Sequence, residues 1–252
     1  MSDAFYTQDG AHFLPSPLTR GPWNARYQHG GPPSALLTRA LTADGFLLAR
    51  VTVALLRPVP LTPLTLQTDP VRGRTAQRPV ARLLAGDTVV AEARGIRIRR
   101  SPLEVPPPEP LASWPSPDAL PELTLDFFPH PVGYHQAVEL RRVHGEWGRT
   151  PIGIWARPRV PLVAGTRTTP HESLMVLADA QSGLGTPLDP QRYSFVNPDL
   201  TVYLERDPVG SWFGFEIRSV VGPQGSGLSQ SAVRDQVGCV GLSAQALVAA
   251  LR

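Results

Sequence analysis

The chain has 252 residues, of which 42% are hydrophobic and 18% are charged, and its formal net charge is +3. This composition is typical of a globular protein with a substantial buried core, and it argues against a disordered, collagenous or coiled-coil chain. All 24 basic residues are arginines. The absence of lysine excludes a pyridoxal-phosphate Schiff base, a lysine nucleophile and a phosphate-loop lysine.

Short apolar runs and a single cysteine limit the chain further. The longest apolar stretches fall far short of the roughly 18 to 20 residues that a membrane-spanning helix needs. Residues Met1–Tyr6 carry neither the basic region nor the apolar run of a secretory signal. Cys239 alone cannot form an internal disulfide or a cysteine-built zinc site. We therefore expect a cytoplasmic protein with no membrane segment.

Positive charge is concentrated in the first part of the chain. Residues 1–104 carry 13 arginines and 7 acidic residues, whereas residues 105–252 carry 11 and 14, so the two parts have net charges of +6 and −3. The total is small for a nucleic-acid-binding protein, and we expect no nucleic-acid partner. The first part is the better candidate for binding an anion.

A proline-rich stretch separates two units of similar size. Residues 102–121 contain 8 prolines in 20 positions, and proline sustains neither a helix interior nor a central strand. This composition predicts an extended, polyproline-like linker. We therefore predict an N-terminal domain at residues 1–104, a linker at 105–130 and a C-terminal domain at 131–252.

Each unit contains one prominent helix. In the first unit, glycines followed by prolines mark the start of a helix at Gly30–Leu41. In the second unit, Thr169 and Glu172 form a capping-box pattern, and Pro170 occupies the first position of a helix that runs to Asp179.

Predicted strands follow each helix in the same order. They span 51–58, 64–69, 77–84 and 88–99 in the first unit, and 200–208, 212–221, 227–236 and 239–248 in the second. The first strands of the two sets are offset by 149 residues. A sheet with one apolar face is best covered by the apolar helix of its own unit, which predicts an α+β fold built from two repeats.

Three motifs within these repeats resemble those of a known family. They are Tyr27-Gln28-His29-Gly30-Gly31 at the start of the first helix, Leu177–Gly183 on the second helix, and Asn197–Val202 at the start of the following strand. In this order and spacing the chain resembles the double-hotdog acyl-CoA thioesterases, the thioesterase II-like group, over nearly its whole length. The resemblance implies two long helices, each wrapped by an antiparallel sheet, an acyl-CoA substrate, no cofactor or metal, and a homodimer of such double units.

The resemblance also implies a catalytic set in the second half. An aspartate on the helix, a hydroxyl residue at the start of the next strand and a glutamine on the last strand fall on Asp179, Asn197 and Gln245. Asn197 departs from the hydroxyl pattern, although an amide can also hydrogen-bond a water. The positions 149 or 150 residues earlier, taken as their repeat counterparts, are Gly30, Leu48 and Gly95, so only the second half has the polar set.

These residue types suit the hydrolysis of a thioester. A carboxylate can act as general base to a water, or attack the carbonyl itself to give an anhydride, while amides orient the water. Exposed N–H groups beside His29, Gly30 and Gly31 could polarise the carbonyl, because the helix dipole favours a developing oxyanion. This division of labour between the halves requires the two helices to lie side by side.

Other residues are candidates for binding parts of the substrate. Guanidinium groups bind phosphate bidentately, so arginines near strand ends are candidates for the coenzyme A phosphates, with solvated strand-edge residues as the alternative. These arginines are Arg57, Arg72, Arg74 and Arg78. Four aromatic residues could line an acyl tunnel or belong to the core. They are Trp23, Phe195, Trp212 and Phe213.

Alternative functions stay open beside thioester hydrolysis. A catalytically silent protein could keep the fold and bind an acyl-CoA or another acyl ligand, and a purely structural dimerisation module is a third possibility. A dehydratase is the weaker enzyme alternative, because hotdog dehydratases use an acid and a histidine near the active helix and no histidine follows Asp179 on its helix. Neither Ser182 nor Ser243 lies in a serine-hydrolase elbow, and His130 and His135 have no further ligand cluster.

Overall fold

The first half of the chain contains one long helix and seven strands among the residues described. The computed structural model describes residues 3–106, 113–125 and 127–252. The elements of this half are β1 (Tyr6–Asp9), β2 (His12–Pro15), α1 (Gly31–Leu41), β3 (Phe46–Leu55), β4 (Leu64–Thr68), β5 (Ala76–Gln77), β6 (Val80–Ala85) and β7 (Thr88–Arg99). Short 3-10 turns lie at Pro17–Thr19 and, between the halves, at Pro117–Ala119.

The second half repeats this plan with more helical turns. Its elements are α2 (Tyr134–Ala137), β8 (Val138–His144), β9 (Ile152–Pro158), α3 (Pro170–Ala178), α4 (Gln181–Gly185), β10 (Tyr193–Val196), β11 (Asp199–Leu204), β12 (Phe213–Val221), β13 (Ser226–Asp235) and β14 (Cys239–Leu251). All strand pairings between these elements are antiparallel, and within the described residues the strands form one sheet of order β1-β2-β4-β6-β7-β3-β11-β14-β13-β12-β9-β8. The expected α+β double-hotdog architecture is confirmed.

Each helix is preceded by two strands that the sequence patterns did not predict. The expectation of one helix followed by a meander was therefore incomplete, because β1 and β2 come before α1, and β8 and β9 come before α3. The strands of the first pair have four residues each, too few to display a period of two. β9 contains a glycine and ends in a proline, both of which usually mark turns.

The two halves join through β3 and β11, which pair antiparallel with Thr52 opposite Thr201. These two threonines are 149 residues apart, and their Oγ1 atoms lie 3.2 Å from each other. The register is symmetric about this pair, because each following residue of β3 meets the preceding residue of β11. The two opposed threonines are also repeat counterparts. The sequence repeat therefore corresponds to a local twofold axis that passes between them, through the middle of the sheet.

The helices do not keep the offset of the strands. A shift of 149 would carry α1 to residues 180–190, whereas α3 occupies Pro170–Ala178. Twenty residues separate α3 from β11, but only four separate α1 from β3, and the longer connection holds α4 and β10. The assignment of Gly30 as the repeat counterpart of Asp179 was therefore wrong, since it applied the strand offset to a helix.

Helices α1 and α3 lie side by side under the sheet, as the proposed division of labour requires. The predicted capping box of α3 is present, with Glu172 N–H donating to Thr169 Oγ1 and Thr169 N–H donating to the Glu172 carboxylate. A Cβ added at Gly31 would lie 2.1 Å from the carbonyl oxygen of Val176. The two helix backbones therefore touch at the start of α1.

The described part of the predicted linker packs on both halves, with the Phe127 ring 6.4 Å from the Trp23 ring of the first half and the Trp114 ring on the second. The Trp114 ring meets Trp155 edge-on with centroids 5.4 Å apart, and the Arg234 guanidinium lies 4.2 Å over the Trp114 ring. Residues 107–112 and 126 of the linker lie outside the described residues. The domain limits remain a prediction. No helix in the described ranges is long and apolar enough to span a membrane.

Candidate active site

Asp179 lies where the second-half helix ends against the first half. It is the C-cap of α3, two residues before α4 begins, and it is 4% exposed. A buried carboxylate is costly unless hydrogen bonds compensate for the water that it loses. The groups that hydrogen-bond the Asp179 carboxylate therefore determine its chemical role.

Three side chains from different elements present nitrogen atoms to this carboxylate. Asn197 Nδ2 donates to Oδ1 at 2.7 Å, and Gln245 Nε2 lies 3.3 Å from Oδ1 and 3.2 Å from the Asp179 carbonyl oxygen. His29 Nδ1 is 3.0 Å from Oδ2. The structure thus brings together the three residues expected from the second half and adds His29 from the first.

The two amides differ in the surroundings of their remaining polar atoms. Asn197 lies between β10 and β11, and its Nδ2 also donates to the Asp199 carbonyl at 3.1 Å. It therefore acts as a turn residue and as a site residue at once. Gln245 on β14 is fully buried, and its Oε1 has no hydrogen-bond partner among the described residues.

Gly30 and Gly31 allow the first half to approach Asp179. A Cβ at Gly30 would lie 2.8 Å from both carboxylate oxygens of Asp179 and 2.9 Å from a methyl group of Leu55. Gly30 is the N-cap of α1, so the amino end of that helix faces the carboxylate. A Cβ at this position would therefore displace the carboxylate, because real Cβ atoms do not come so close to oxygen.

The partners of His29 determine its tautomer. Its Nδ1 lies 3.0 Å from Asp179 Oδ2, and the Gly31 N–H points at the same nitrogen from 3.2 Å. One nitrogen cannot donate and accept at once. A bond to a carboxylate is stronger than one between neutral groups, so we assign the proton to Nδ1, donating to Asp179. The Gly31 N–H at the start of α1 is then left for another acceptor.

Burial disfavours the charged form of His29. Its side chain is 12% exposed, and burial lowers the pKa of His29, while the charge of Asp179 opposes this shift. The ring stacks on Tyr134 with centroids 3.7 Å apart and planes 3° apart. The Tyr134 hydroxyl donates to the Val176 carbonyl at 3.0 Å, and burial raises its pKa well above the ordinary value. Sequence analysis missed Tyr134, since no local pattern marks a residue that stacks across 105 positions.

A cavity of about 360 Å³ opens beside this group. Its aromatic wall residues are Trp23, Tyr27, Phe127, Phe128, Tyr134 and Phe195. Trp23 and Phe195 meet edge-on with centroids 5.0 Å apart. Of the four aromatic candidates, these two line the cavity, whereas Trp212 and Phe213 are buried elsewhere. His29, Gly30, Asp179 and Asn197 also line it.

The candidate phosphate-binding arginines are divided by the fold. Arg57 lies on the cavity wall and its side chain is exposed, without an ion pair among the described residues. Arg72, Arg74 and Arg78 lie in and beside an exposed loop between β4 and β6, and none of them is on the cavity wall.

A layer of polar side chains lies on the inner face of the sheet behind Asp179, and sequence analysis named only Gln245 of it as a site residue. Its members are Ser219, Ser229, Ser231, Ser243 and Gln245, each at most 3% exposed. Gln181 at the start of α4 bridges this layer, donating to the Ser229 carbonyl at 3.1 Å and accepting from Ser243 Oγ at 2.5 Å. The matching strands of the first half bury Leu64, Ala81, Leu83, Ala91 and Ala93 instead. The available signal was the spacing of two between polar residues, at Ser229 and Ser231 in β13 and at Ser243 and Gln245 in β14.

Comparisons with known proteins agree with this architecture. A family profile described as the acyl-CoA thioesterase N-terminal domain matches residues 19–98, and one described as the acyl-CoA thioesterase C-terminal domain matches residues 108–249. The second match alone covers more than half of the chain. No curated protein matches the sequence at a significant level. Within the described ranges, no group of three or more His, Cys, Asp or Glu side chains could hold a metal ion.

Solved structures with the same fold align over almost the full chain. A hot dog fold protein of unknown function from Alicyclobacillus acidocaldarius is 19% identical with a TM-score of 0.74, over 99% of this chain and 97% of its own. A candidate thioesterase from Novosphingobium aromaticivorans is 20% identical with a TM-score of 0.69, over 98% and 99%. Acyl-CoA thioesterase II TesB2 from Mycobacterium marinum is 13% identical with a TM-score of 0.64, over 88% and 90%. Such likenesses show the hotdog fold, and with the two profile matches they lead to one conclusion: this chain belongs to the double-hotdog acyl-CoA thioesterase family.

Proposed function

We propose that this protein hydrolyses the thioester of an acyl-CoA to the free acid and coenzyme A, with a water activated at Asp179. The observation that carries the proposal is a buried carboxylate, held by Asn197, Gln245 and His29, on the wall of an aromatic-lined cavity. Family membership supports the acyl-CoA substrate. Asp179, Asn197 and Gln245 are the proposed catalytic set, and Arg57 is the arginine best placed to meet a coenzyme A phosphate.

The hydrogen bonds favour activation of a water over direct attack by the carboxylate. Both oxygens of Asp179 have N–H partners, and an attacking oxygen would have to leave its partner to form an anhydride. Asn197 uses its Nδ2 for Asp179 and for the backbone, and its Oδ1, which has no hydrogen-bond partner among the described residues, can accept a hydrogen bond from a water. An amide can therefore replace the hydroxyl residue that the family resemblance implies at this position.

The reaction balances with one water and no other reactant. The water oxygen bonds to the carbonyl carbon as its proton passes to the basic group of the site. Negative charge on the carbonyl oxygen is stabilised at the start of α1, where Gly30 lines the cavity and the helix dipole is favourable. The C–S bond then breaks, and the proton moves on to the thiolate of coenzyme A.

The first test is thiol release from short, medium, long and aromatic acyl-CoAs by the wild type and by Asp179→Asn. We expect the substitution to lower kcat by about 100-fold or more, because it removes the charge that drives proton transfer. Asp87→Asn, in the exposed turn between β6 and β7, is the matched control and should retain wild-type rates.

Two outcomes would contradict the proposal. Equal rates in the wild type and Asp179→Asn would place the chemistry elsewhere. An absence of turnover in both proteins, together with a rise of Tm in the presence of acyl-CoA, would favour the alternative of a silent acyl-ligand-binding protein.

One observation supports a second candidate reaction. Dehydration was the weaker expectation because no histidine follows Asp179 on its own helix, yet His29 reaches the carboxylate from the other half of the chain. An acid and a histidine in contact could also add water to a 2-enoyl-CoA. With a 2-enoyl-CoA as the substrate, loss of the enoyl absorbance without thiol release would identify this reaction.

A further inference from the structure

His29 has one nitrogen committed to Asp179 and one nitrogen free. Nδ1 donates to the carboxylate, as argued above. Nε2 has no hydrogen-bond partner among the described residues, and it is not one of the buried unpartnered atoms. Since His29 lines the cavity, its accessible nitrogen is open to a bound molecule. A neutral imidazole in this tautomer carries a lone pair on Nε2 and can accept a proton there.

The surroundings hold the ring in a fixed plane. Tyr134 stacks on one face, and its hydroxyl is tied to the carbonyl of Val176 on α3. Asp179 fixes the rotation of the ring about its Cβ–Cγ bond through the contact at Nδ1. Among the described residues, Asp179 and Tyr134 are the ionisable side chains that contact His29, and Arg57 is the cation on the wall of the same cavity.

The Asp179 carboxylate has less hydrogen-bonding capacity left for a water than the His29 imidazole has. Oδ1 of Asp179 accepts from two amides, and Oδ2 faces the imidazole N–H. Residues placed in this way commonly act as a pair, in which the carboxylate orients the imidazole and stabilises its charged form. The free lone pair of His29 then does the proton transfer.

We propose that His29 is the catalytic base of this site, taking the proton of the attacking water at Nε2, and that Asp179 acts on the water through the imidazole. This inference rests on the proposed thioesterase function. As the water oxygen bonds to the carbonyl carbon, its proton moves to Nε2 and gives an imidazolium paired with Asp179. When the C–S bond breaks, Nε2 returns the proton to the thiolate, so His29 ends neutral.

The decisive variant is His29→Asn, because the asparagine amide can still donate to Asp179 from near the position of Nδ1 but has nothing at Nε2. We expect kcat to fall by about 100-fold or more and KM to change little. We also expect kcat/KM of the wild type to fall toward low pH as His29 is protonated, and we expect this acid limb to be absent from the residual rate of His29→Asn. His171→Asn is the matched control, since His171 is a half-buried histidine 3.4 Å from Asp207 and lies outside the cavity wall.

Each result bears on one of the two proposals. Thiol release by the wild type with near-normal kcat and an unchanged acid limb in His29→Asn would overturn the role of His29 and leave the thioesterase proposal standing. No thiol release from any acyl-CoA by the wild type would overturn the proposed function itself.

A measurement on the wild type covers the case in which His29→Asn does not fold. The midpoint of the acid limb of kcat/KM is recorded at several temperatures. Imidazole ionisation has a large enthalpy and carboxyl ionisation has nearly none, so we expect the midpoint to move with temperature. A midpoint that stays constant would assign the titration to a carboxylate and overturn the proposal.

Discussion

At the scale of single residues, the space left by two glycines determines the geometry of this site more than charge does. Gly30 lets the Asp179 carboxylate lie against the amino end of α1, and Gly31 lets the backbones of α1 and α3 touch. Neither glycine has a positive φ, so each is required for space and not for backbone conformation. The glycines thus set the distance between the two halves of the site.

Gly31→Ala should test this contact directly. The added Cβ would lie 2.1 Å from the Val176 carbonyl oxygen, so α1 must move away from α3, and we expect a loss of about 1–3 kcal/mol of unfolding free energy. Urea denaturation measures the change. Gly222→Ala, whose nearest atom would be 3.5 Å away, should be close to neutral. A Gly31→Ala protein as stable as the wild type would contradict the contact, because alanine is otherwise the better helix former.

At the scale of elements, one ion pair ties the two central helices together. Arg39 Nε on α1 lies 3.0 Å from Glu172 on α3, and Glu172 is 2% exposed. Burial raises the pKa of Glu172, while its bonds to Thr169 and Arg39 oppose this shift. The carboxylate therefore serves both the capping box of its own helix and the packing of α1 on α3.

Arg39→Met should destabilise the protein by about 2 kcal/mol at neutral pH, because it leaves a buried carboxylate without its cation. This expected loss is smaller than the full cost of breaking a buried ion pair, because Arg39 is 27% exposed. Arg94→Met, in a more exposed pair with Glu92, should cost less than about 1 kcal/mol.

The pH dependence of this loss follows from the raised pKa of Glu172. Without Arg39 the folded state binds a proton at Glu172 more tightly than the unfolded state does, so the defect should shrink as the pH falls and Glu172 becomes neutral. A defect equal at neutral and acidic pH in urea denaturation would argue against this assignment.

At the scale of the whole molecule, the outer face of the second-half sheet is apolar and exposed. Cross-strand pairs place its large residues on one face. These residues are Tyr203, Val220, Leu228, Leu242 and Val248, each more than 40% exposed. Large apolar patches are uncommon on monomers and often form interfaces. The homodimer implied by the family resemblance would cover this face with a second copy of the chain.

Light scattering should therefore give a mass of about twice the 27.3 kDa of one chain. Leu242→Glu should shift the protein toward the monomer, because it would bury a charge in the interface. Val237→Glu, in the turn after β13 and outside this face, is the matched control. A wild-type mass of one chain at micromolar concentration would contradict the dimer.

The sequence by itself determined the elements whose signals are local. Prolines and a capping box marked the starts of α1 and α3, and the strand patterns predicted β3, β4, β6 and β7 in the first half and the strands from β11 to β14 in the second. The 149-residue offset was also correct for the strands, and Thr52 meets Thr201 on the axis that it implies. These features were predictable because each depends on residues close together in the chain or on a simple repeat.

Only the tertiary structure decided which residues meet. His29 and Asp179 lie 150 positions apart, and their contact depends on two helix backbones touching at Gly31. The polar layer behind Asp179 depends on the register of β12, β13 and β14, which no single strand contains. Local propensity acts over a few residues, whereas burial and pairing act between segments that only folding brings together. For that reason the family resemblance could name Asp179 and His29 as site residues, but only the folded chain showed that the two side chains contact each other.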